Sequence, residues 1–215
     1  MSSSTTTTTT TTTKPSLKRS SEHIDGVAVP AGAAKKSKLE PVVFYSKSKD
    51  PTARLLSNFA PSWIKYAGRF YPTVEHLYQS MKSDNSLYRG EFSCWNKEEE
   101  PWHGMKARKA KWIGSKESMK KRGLCIDPHF NADLVMRHAL QLKFDPVMGS
   151  DNGSFAKVLE STGDRPLRHF SRNPGVWSCR IDKVTGEITA GGNKLGKMLE
   201  ELRAKNRLAA AAKKE

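Results

Sequence analysis

The chain has no apolar run approaching the roughly 18 residues that a membrane-spanning helix needs, and its Thr-rich start lacks the apolar centre of a secretory leader. Neither membrane insertion nor secretion is expected. Cysteine is scarce: Cys94, Cys125 and Cys179 are odd in number and show no CxxC or Cys/His ligand spacing. That excludes a disulfide framework and a zinc site, so no metal or cofactor is expected and a reducing intracellular compartment is. Residues 1–40 contain almost no aromatic or large aliphatic side chains and carry nine consecutive threonines, Thr5 to Thr13. Such a segment cannot bury enough surface to offset the entropy of ordering and reads as a disordered tail. No internal repeat is evident.

Acidic residues are also under-represented, 22 against 37 Lys and Arg, which gives a net charge of +15. The excess is not confined to the ends: residues 1–40 carry +3, residues 203–215 carry +4 and residues 41–202 carry the remaining +8. A basic body suits phosphorylated ligands or nucleic acid, although surplus lysine also serves solubility alone. In the tail, Lys18-Arg19 and Lys35-Lys36-Ser37-Lys38 have the form of a two-part nuclear import signal, so nuclear or cytoplasmic residence is expected.

Between the tails, 41–203 reads as one domain, with 204–215 a basic C-terminal tail that frays from a last helix. Pro41-Val42-Val43-Phe44-Tyr45 is a strand candidate, and Trp63–Tyr66 with Arg69–Tyr71 form a hairpin across Ala67-Gly68. Periodicity then predicts helices over about 73–87, 102–112, 116–122, 130–144, 151–162 and 193–206, the fourth with Arg137, His138 and Lys143 on a basic outer face. The fold class is therefore α+β, mostly helical, with a small sheet. Residues 163–192 read as one long loop around Trp177, the kind of segment in which sites lie.

The most informative stretch is Tyr71-Pro72-Thr73-Val74-Glu75-His76, followed by Gln79 and Lys82. Thr73 is the expected N-cap, with Glu75 in the first turn, where the helix dipole favours its ionised form. Val74, Leu77, Tyr78 and Met81 make one apolar stripe; Glu75, Gln79 and Lys82 make a polar ribbon beside it, suited to the edge of a cleft. Seven residues rise roughly 10 Å, so an acid and an amine would flank a bound group. A solvated face with a loose ion pair explains the same pattern. His76 points away from this ribbon. Asn193, after Gly191-Gly192, reads as the cap of the last helix. Trp177 suits either stacking on a ring or anchoring a core, and Asn58-Phe59 either orients a ligand or forms a turn beside a buried ring.

Taken together, Phe44-Tyr45-Ser46, Leu56-Ser57-Asn58-Phe59, the Thr73 helix with Gln79 and Lys82, Val135 to Phe144, and Asn193-Lys194-Leu195-Gly196-Lys197-Met198-Leu199 resemble, in order and spacing, the NADAR or YbiA-like superfamily over about 43–203. The resemblance implies hydrolysis of N-glycosidic bonds, either in ADP-ribosylated guanine bases or in phosphorylated ribosylamines. It implies that Glu75 is the family's acid, Lys82 its lysine, and Asn58, Phe59, Asn193 and Gly196 pocket positions, with Gln79 and Trp177 also expected at the substrate. On this reading Lys82 is a nucleophile if desolvation lowers its pKa, and a phosphate or ribose contact if it stays charged. The loop departs from the family pattern, with His169, Pro174, Ser178 and Cys179 where acidic residues, Asp and Gly are usual. Asp164 or Asp182 would have to compensate, or the domain is a non-catalytic binder of ADP-ribose or nucleic acid. The sequence sets no oligomeric state.

Overall fold

The computed structural model describes residues 39–95, 104–147 and 149–213. The Thr-rich segment and both basic clusters of the expected import signal lie outside the described residues. Element order is β1 (Val42–Phe44), α1 (Pro51–Leu55), β2 (Ile64–Tyr66), β3 (Arg69–Tyr71), α2 (Val74–Ser80), α3 (Ser86–Gly90), α4 (Ala107–Ile113), α5 (Lys116–Lys121), α6 (Ala132–Phe144), α7 (Ser154–Glu160), β4 (Leu167–His169), β5 (Cys179–Ile181), β6 (Ile188–Gly191) and α8 (Lys194–Ala211). This is the expected α+β class: three two-stranded sheets among helices.

The hairpin forms where expected because Ala67 and Gly68 both take positive φ, 48° and 74°, the backbone of a twist-matched two-residue turn. The segment read as a long loop holds three strands. In it β4 pairs parallel with β1, Leu167 opposite Val42, and β5 pairs with β6 as a hairpin. Phe44, Leu56, Phe144, Leu159, Leu167, Leu195 and Leu199 are sealed around the β1–β4 pair. Helix α1, missed in the sequence, carries a legible start: Asp50 accepts from Thr52 N and Pro51 fills the first turn.

Helix α6 corrects one expectation. Its buried face is Met136, Ala139, Leu140, Lys143 and Phe144, spaced i, i+3, i+4, i+7, i+8, so Lys143 lies in the core stripe rather than on a basic outer face, while Leu134 is exposed. Helix α8 runs to Ala211, five residues beyond the periodic reading. The helix expected over 73–87 is two short helices, α2 and α3, separated by a turn.

Candidate active site

Helix α2 is placed by its ends. Thr73, in extended backbone, accepts from His76 N, and Glu75 N donates to Asn58 O at 3.1 Å, so the Asn58 loop fixes where the helix starts. At the other end Met81 caps the helix and Tyr88 Oη donates to Gln79 O at 3.0 Å. All seven residues of α2 are buried. The ribbon, expected at the edge of a cleft, is buried along the length of α2, and the solvated-face alternative does not hold there. Lys82 stands just past the helix, on the turn closed by Lys82 N donating to Gln79 O, so the helical rise between Glu75 and Lys82 does not carry over its last step.

Glu75 is 6 % exposed and Gln79 3 %. Gln79 Nε2 donates to Glu75 Oε1 at 2.7 Å, which leaves Gln79 Oε1 buried without a partner; Asn58 Oδ1 is in the same state, its amide nitrogen resting on Met136 Sδ. Gln79 Oε1 packs against Gly114, and both amide oxygens keep acceptor capacity that no described protein donor fills. Burial raises the Glu75 pKa above the ordinary carboxylate range, against the lowering effects of Gln79, Lys111 and Lys82. This reverses the direction expected from the helix dipole alone, because losing water outweighs a partial charge.

Lys82 is half-buried. Its Nζ donates to Gly114 O at 2.6 Å and sits 5.5 Å from the centre of the Tyr78 ring. Desolvation lowers its pKa, opposed by the charge of Glu75. Gly114 has to be glycine here, since a Cβ would strike the Gln79 side chain. Helix α4 also brings Lys111 close enough that its charge acts on both Glu75 and Lys82. His76 is held neutral instead: Nε2–H donates to Met105 O at 2.9 Å, Nδ1 accepts from the Thr73 hydroxyl, and burial lowers its pKa to about 4. It fastens α2 to the approach of α4 and takes no part as a base.

Trp177 is half-buried and meets Tyr78 edge-on at 6.0 Å; Tyr78 in turn meets Phe130 at 5.6 Å. Lys194 Nζ lies 5.6 Å from the Trp177 ring and pairs with Asp133. Burial and the charges of Glu75 and Asp133 push the Tyr78 hydroxyl up to about 12, so it stays a donor. In the sequence Tyr78 falls on the apolar stripe of α2, and no motif marks Lys111. No periodic signal distinguishes a tyrosine packed in a core from one packed beside a site.

Other expected positions serve the frame. Asn193 is fully buried at φ 49°, and its side chain caps nothing on α8; Oδ1 accepts from His169 N at 2.9 Å and Nδ2 donates to Leu167 O at 2.8 Å. Gly196 lets α8 approach β4, where a Cβ would meet Leu167 O. Phe59 follows Asn58 and is half-exposed. His169 stacks on Phe44 and its Nδ1 meets Trp177 O at 3.1 Å, so this side chain holds the tryptophan loop. Asp164 pairs with Arg207, and Asp182 accepts from Val184 N and Thr185 N inside the β5–β6 turn. Both carboxylates are engaged on the surface. A groove of about 750 Å³ lies along α7 and α8 and contains none of the site residues.

Among the described residues no cluster of three His, Cys, Asp or Glu side chains could hold a metal, and no helix is long and apolar enough to cross a membrane. Fold and site together define an α+β protein with a desolvated amine and a buried carboxylate under an aromatic rim. Residues 43–207 match the NADAR domain model, and the chain belongs to that family. It is 29 % identical over 160 residues to the N-glycosidase YbiA of Escherichia coli (strain K12) and to the protein of the same name from Shigella boydii, a match covering 74 % of this chain and 84 % of each relative. The NMR structure of E. coli YbiA superposes with a TM-score of 0.58 at 25 % identity, covering 81 % of this chain and 89 % of that one.

Proposed function

We propose that the protein is an N-glycoside hydrolase acting on an ADP-ribosylated base, guanine in nucleotide or DNA, or on a phosphorylated ribosylamine, inside the cell. The observation that carries this reading is Lys82: an amine with lowered pKa, in the electrostatic reach of a buried carboxylate, within a NADAR match. Lys82 Nζ, its proton passed to Glu75, attacks C1′ as the C1′–N bond breaks; the bonding pair leaves with the base, which takes that proton from Glu75. Nζ then passes a proton to O4′ as the C1′–O4′ bond breaks and its electron pair leaves with O4′, opening the ribose to a Schiff base whose positive charge the ionised Glu75 stabilises. Water adds to that carbon, Lys82 departs, and free ribose re-forms. Overall, the base gains H and C1′ gains OH.

Gln79 holds Glu75 in place, Asn58 supplies an unpaired acceptor for a sugar hydroxyl, and Trp177 with Tyr78 supplies a rim for the base or adenine ring. The test is free-base release from ADP-ribosylated guanine nucleotide or DNA by wild type, Lys82→Ala and Glu75→Ala. Equal release by all three removes the assignment. One observation favours a second reading, a binder of ADP-ribose without turnover: the carboxylates that could replace the missing wall acids, Asp164 and Asp182, are engaged elsewhere. Tight ADP-ribose binding with no base release from any of these substrates selects it.

A further inference from the structure

The +8 of residues 41–202 is not spread over the domain. Residues 106–122 hold Lys106, Arg108, Lys109, Lys111, Lys116, Lys120, Lys121 and Arg122 against Glu117 alone, a net +7. That leaves +1 for 41–105 and zero for 123–202. All eight basic residues are exposed, because α4 and α5 turn Ala107, Ala110, Ile113, Ser118 and Met119 inward. Among the described residues only Arg122 of these eight has an acidic partner within ion-pair distance, Glu91. Concentrating like charge on two short adjoining helices is unfavourable without a counter-charge, and solubility alone would be served by spreading it.

The same face carries an exposed indole. Trp112 is 64 % exposed and lies four residues, one helical turn, beyond Arg108. The face also adjoins the reactive pair: α4 packs on α2, and the carbonyl of its capping residue Gly114 holds Lys82 Nζ. Phosphates along α4 and α5 would therefore run past Lys82, and a base on Trp112 would sit one element away from it. A buried Glu75 is beyond the reach of a base still stacked in a duplex. We propose that the α4–α5 face binds single-stranded nucleic acid, its phosphates on Arg108, Lys109, Lys116 and Lys120 and a base stacked on Trp112, so that a polynucleotide-borne conjugate is presented to the site. The delivery role rests on the glycosidase reading; the binding does not.

The experiment is therefore made with an unmodified oligonucleotide of mixed sequence and the full-length chain carrying Lys82→Ala. Binding is followed by fluorescence anisotropy across salt concentrations. Reversing Arg108, Lys109, Lys116 and Lys120 to Glu should weaken binding at least about 100-fold at low salt and reduce the log–log salt slope by about 3, at ~0.7 per phosphate on a single strand. Trp112→Ala should cost about 10-fold and abolish part of the tryptophan quenching. Reversing four tail lysines, Lys35, Lys36, Lys213 and Lys214, should cost far less. Thermal melting of each variant establishes that it is folded. Unchanged binding by the α4–α5 variant, an equal loss in the tail variant, or Trp112→Ala binding as wild type with heparin competing equally well, overturns the proposal. Loss of binding with base release from free nucleotide absent in wild type would leave this surface standing and remove the glycosidase.

Discussion

Lys82 and Lys143 both surrender water and both donate to a backbone carbonyl at 2.6 Å, yet their surroundings differ. Lys143 is sealed in the core, its Nζ bonded to Leu55 O and to Ser57 O at 2.9 Å, with the Phe144 and Phe155 rings at 4.8 and 4.9 Å. Burial alone lowers its pKa to about 7. A neutral amine has two N–H donors, which match the two carbonyls. Lys82 keeps only one such bond, stands half-open, and has Glu75 and Lys111 acting on it. Desolvation is thus common to a core lysine and to the lysine proposed as nucleophile; access and a neighbouring carboxylate separate them.

The widest separation is expected in rate. Lys82→Ala should lower base release at least about 1,000-fold while leaving the melting temperature near wild type, since removing the proposed nucleophile leaves only binding and orientation. Lys82→Arg should be equally inactive, because a guanidinium cannot become neutral. An active Lys82→Arg protein would reduce Lys82 to a charge contact and erase the contrast.

Next in size is stability. Lys143→Met leaves two buried carbonyls without donors, at about 1–3 kcal/mol each. The expected loss is about 3 kcal/mol, seen as a fall of about 10 °C in melting temperature. The pH sign follows from the lowered folded pKa. Between about 7 and the unfolded value of 10.5 the unfolded chain binds the extra proton, so stability from this site rises with pH across that window. Lys143→Met should lose that rise. The same substitution disturbs the loop that carries Asn58, so its rate effect should be modest and follow the fraction folded.

The contrast between the two lysines was only half legible in the sequence. The motif Thr73-Val74-Glu75-His76 with Gln79 and Lys82 marks the site, and Thr73 caps the helix as its residue type predicts. Lys143 was misplaced although it occupies the i+7 position of a stripe through Met136, Ala139, Leu140 and Phe144. A charge there was read as outward because charge is rarely sealed. What compensates it is two carbonyls contributed from nearly ninety residues away, and no local pattern announces such partners. The β1–β4 pair was hidden for the same reason, since each strand has three residues and finds its partner across most of the domain. Asn193 shows the reverse case: its position at the head of α8 was legible, but its buried role binding β4 depends on the strand that was not.

Glu75 sharpens the comparison further, since it gives the site the acidic partner that Lys143 lacks. Glu75→Gln should lower base release by about 100- to 1,000-fold, within the range of a lost general acid. Stability should move the other way. A carboxyl whose folded pKa is raised opposes folding once pH exceeds its unfolded value, and that opposition vanishes in acid. The melting-temperature difference between Glu75→Gln and wild type should therefore be more favourable at pH 8 than at pH 4.

The smallest effects are expected from the two surface carboxylates. Asp164 forms an exposed pair with Arg207, of the kind that contributes about 0–1 kcal/mol, and Asp182 shapes the β5–β6 turn. Asp164→Asn and Asp182→Asn should each leave base release within about twofold of wild type, because neither group shifts the pKa of Glu75 or Lys82. A loss of 100-fold or more in either would mean that the Trp177 loop refolds around substrate and brings a second carboxylate to the site. The reactive lysine would then owe its chemistry to a wall assembled on binding, and the static contrast with Lys143 would have to be drawn between a rigid core and a site completed by its ligand.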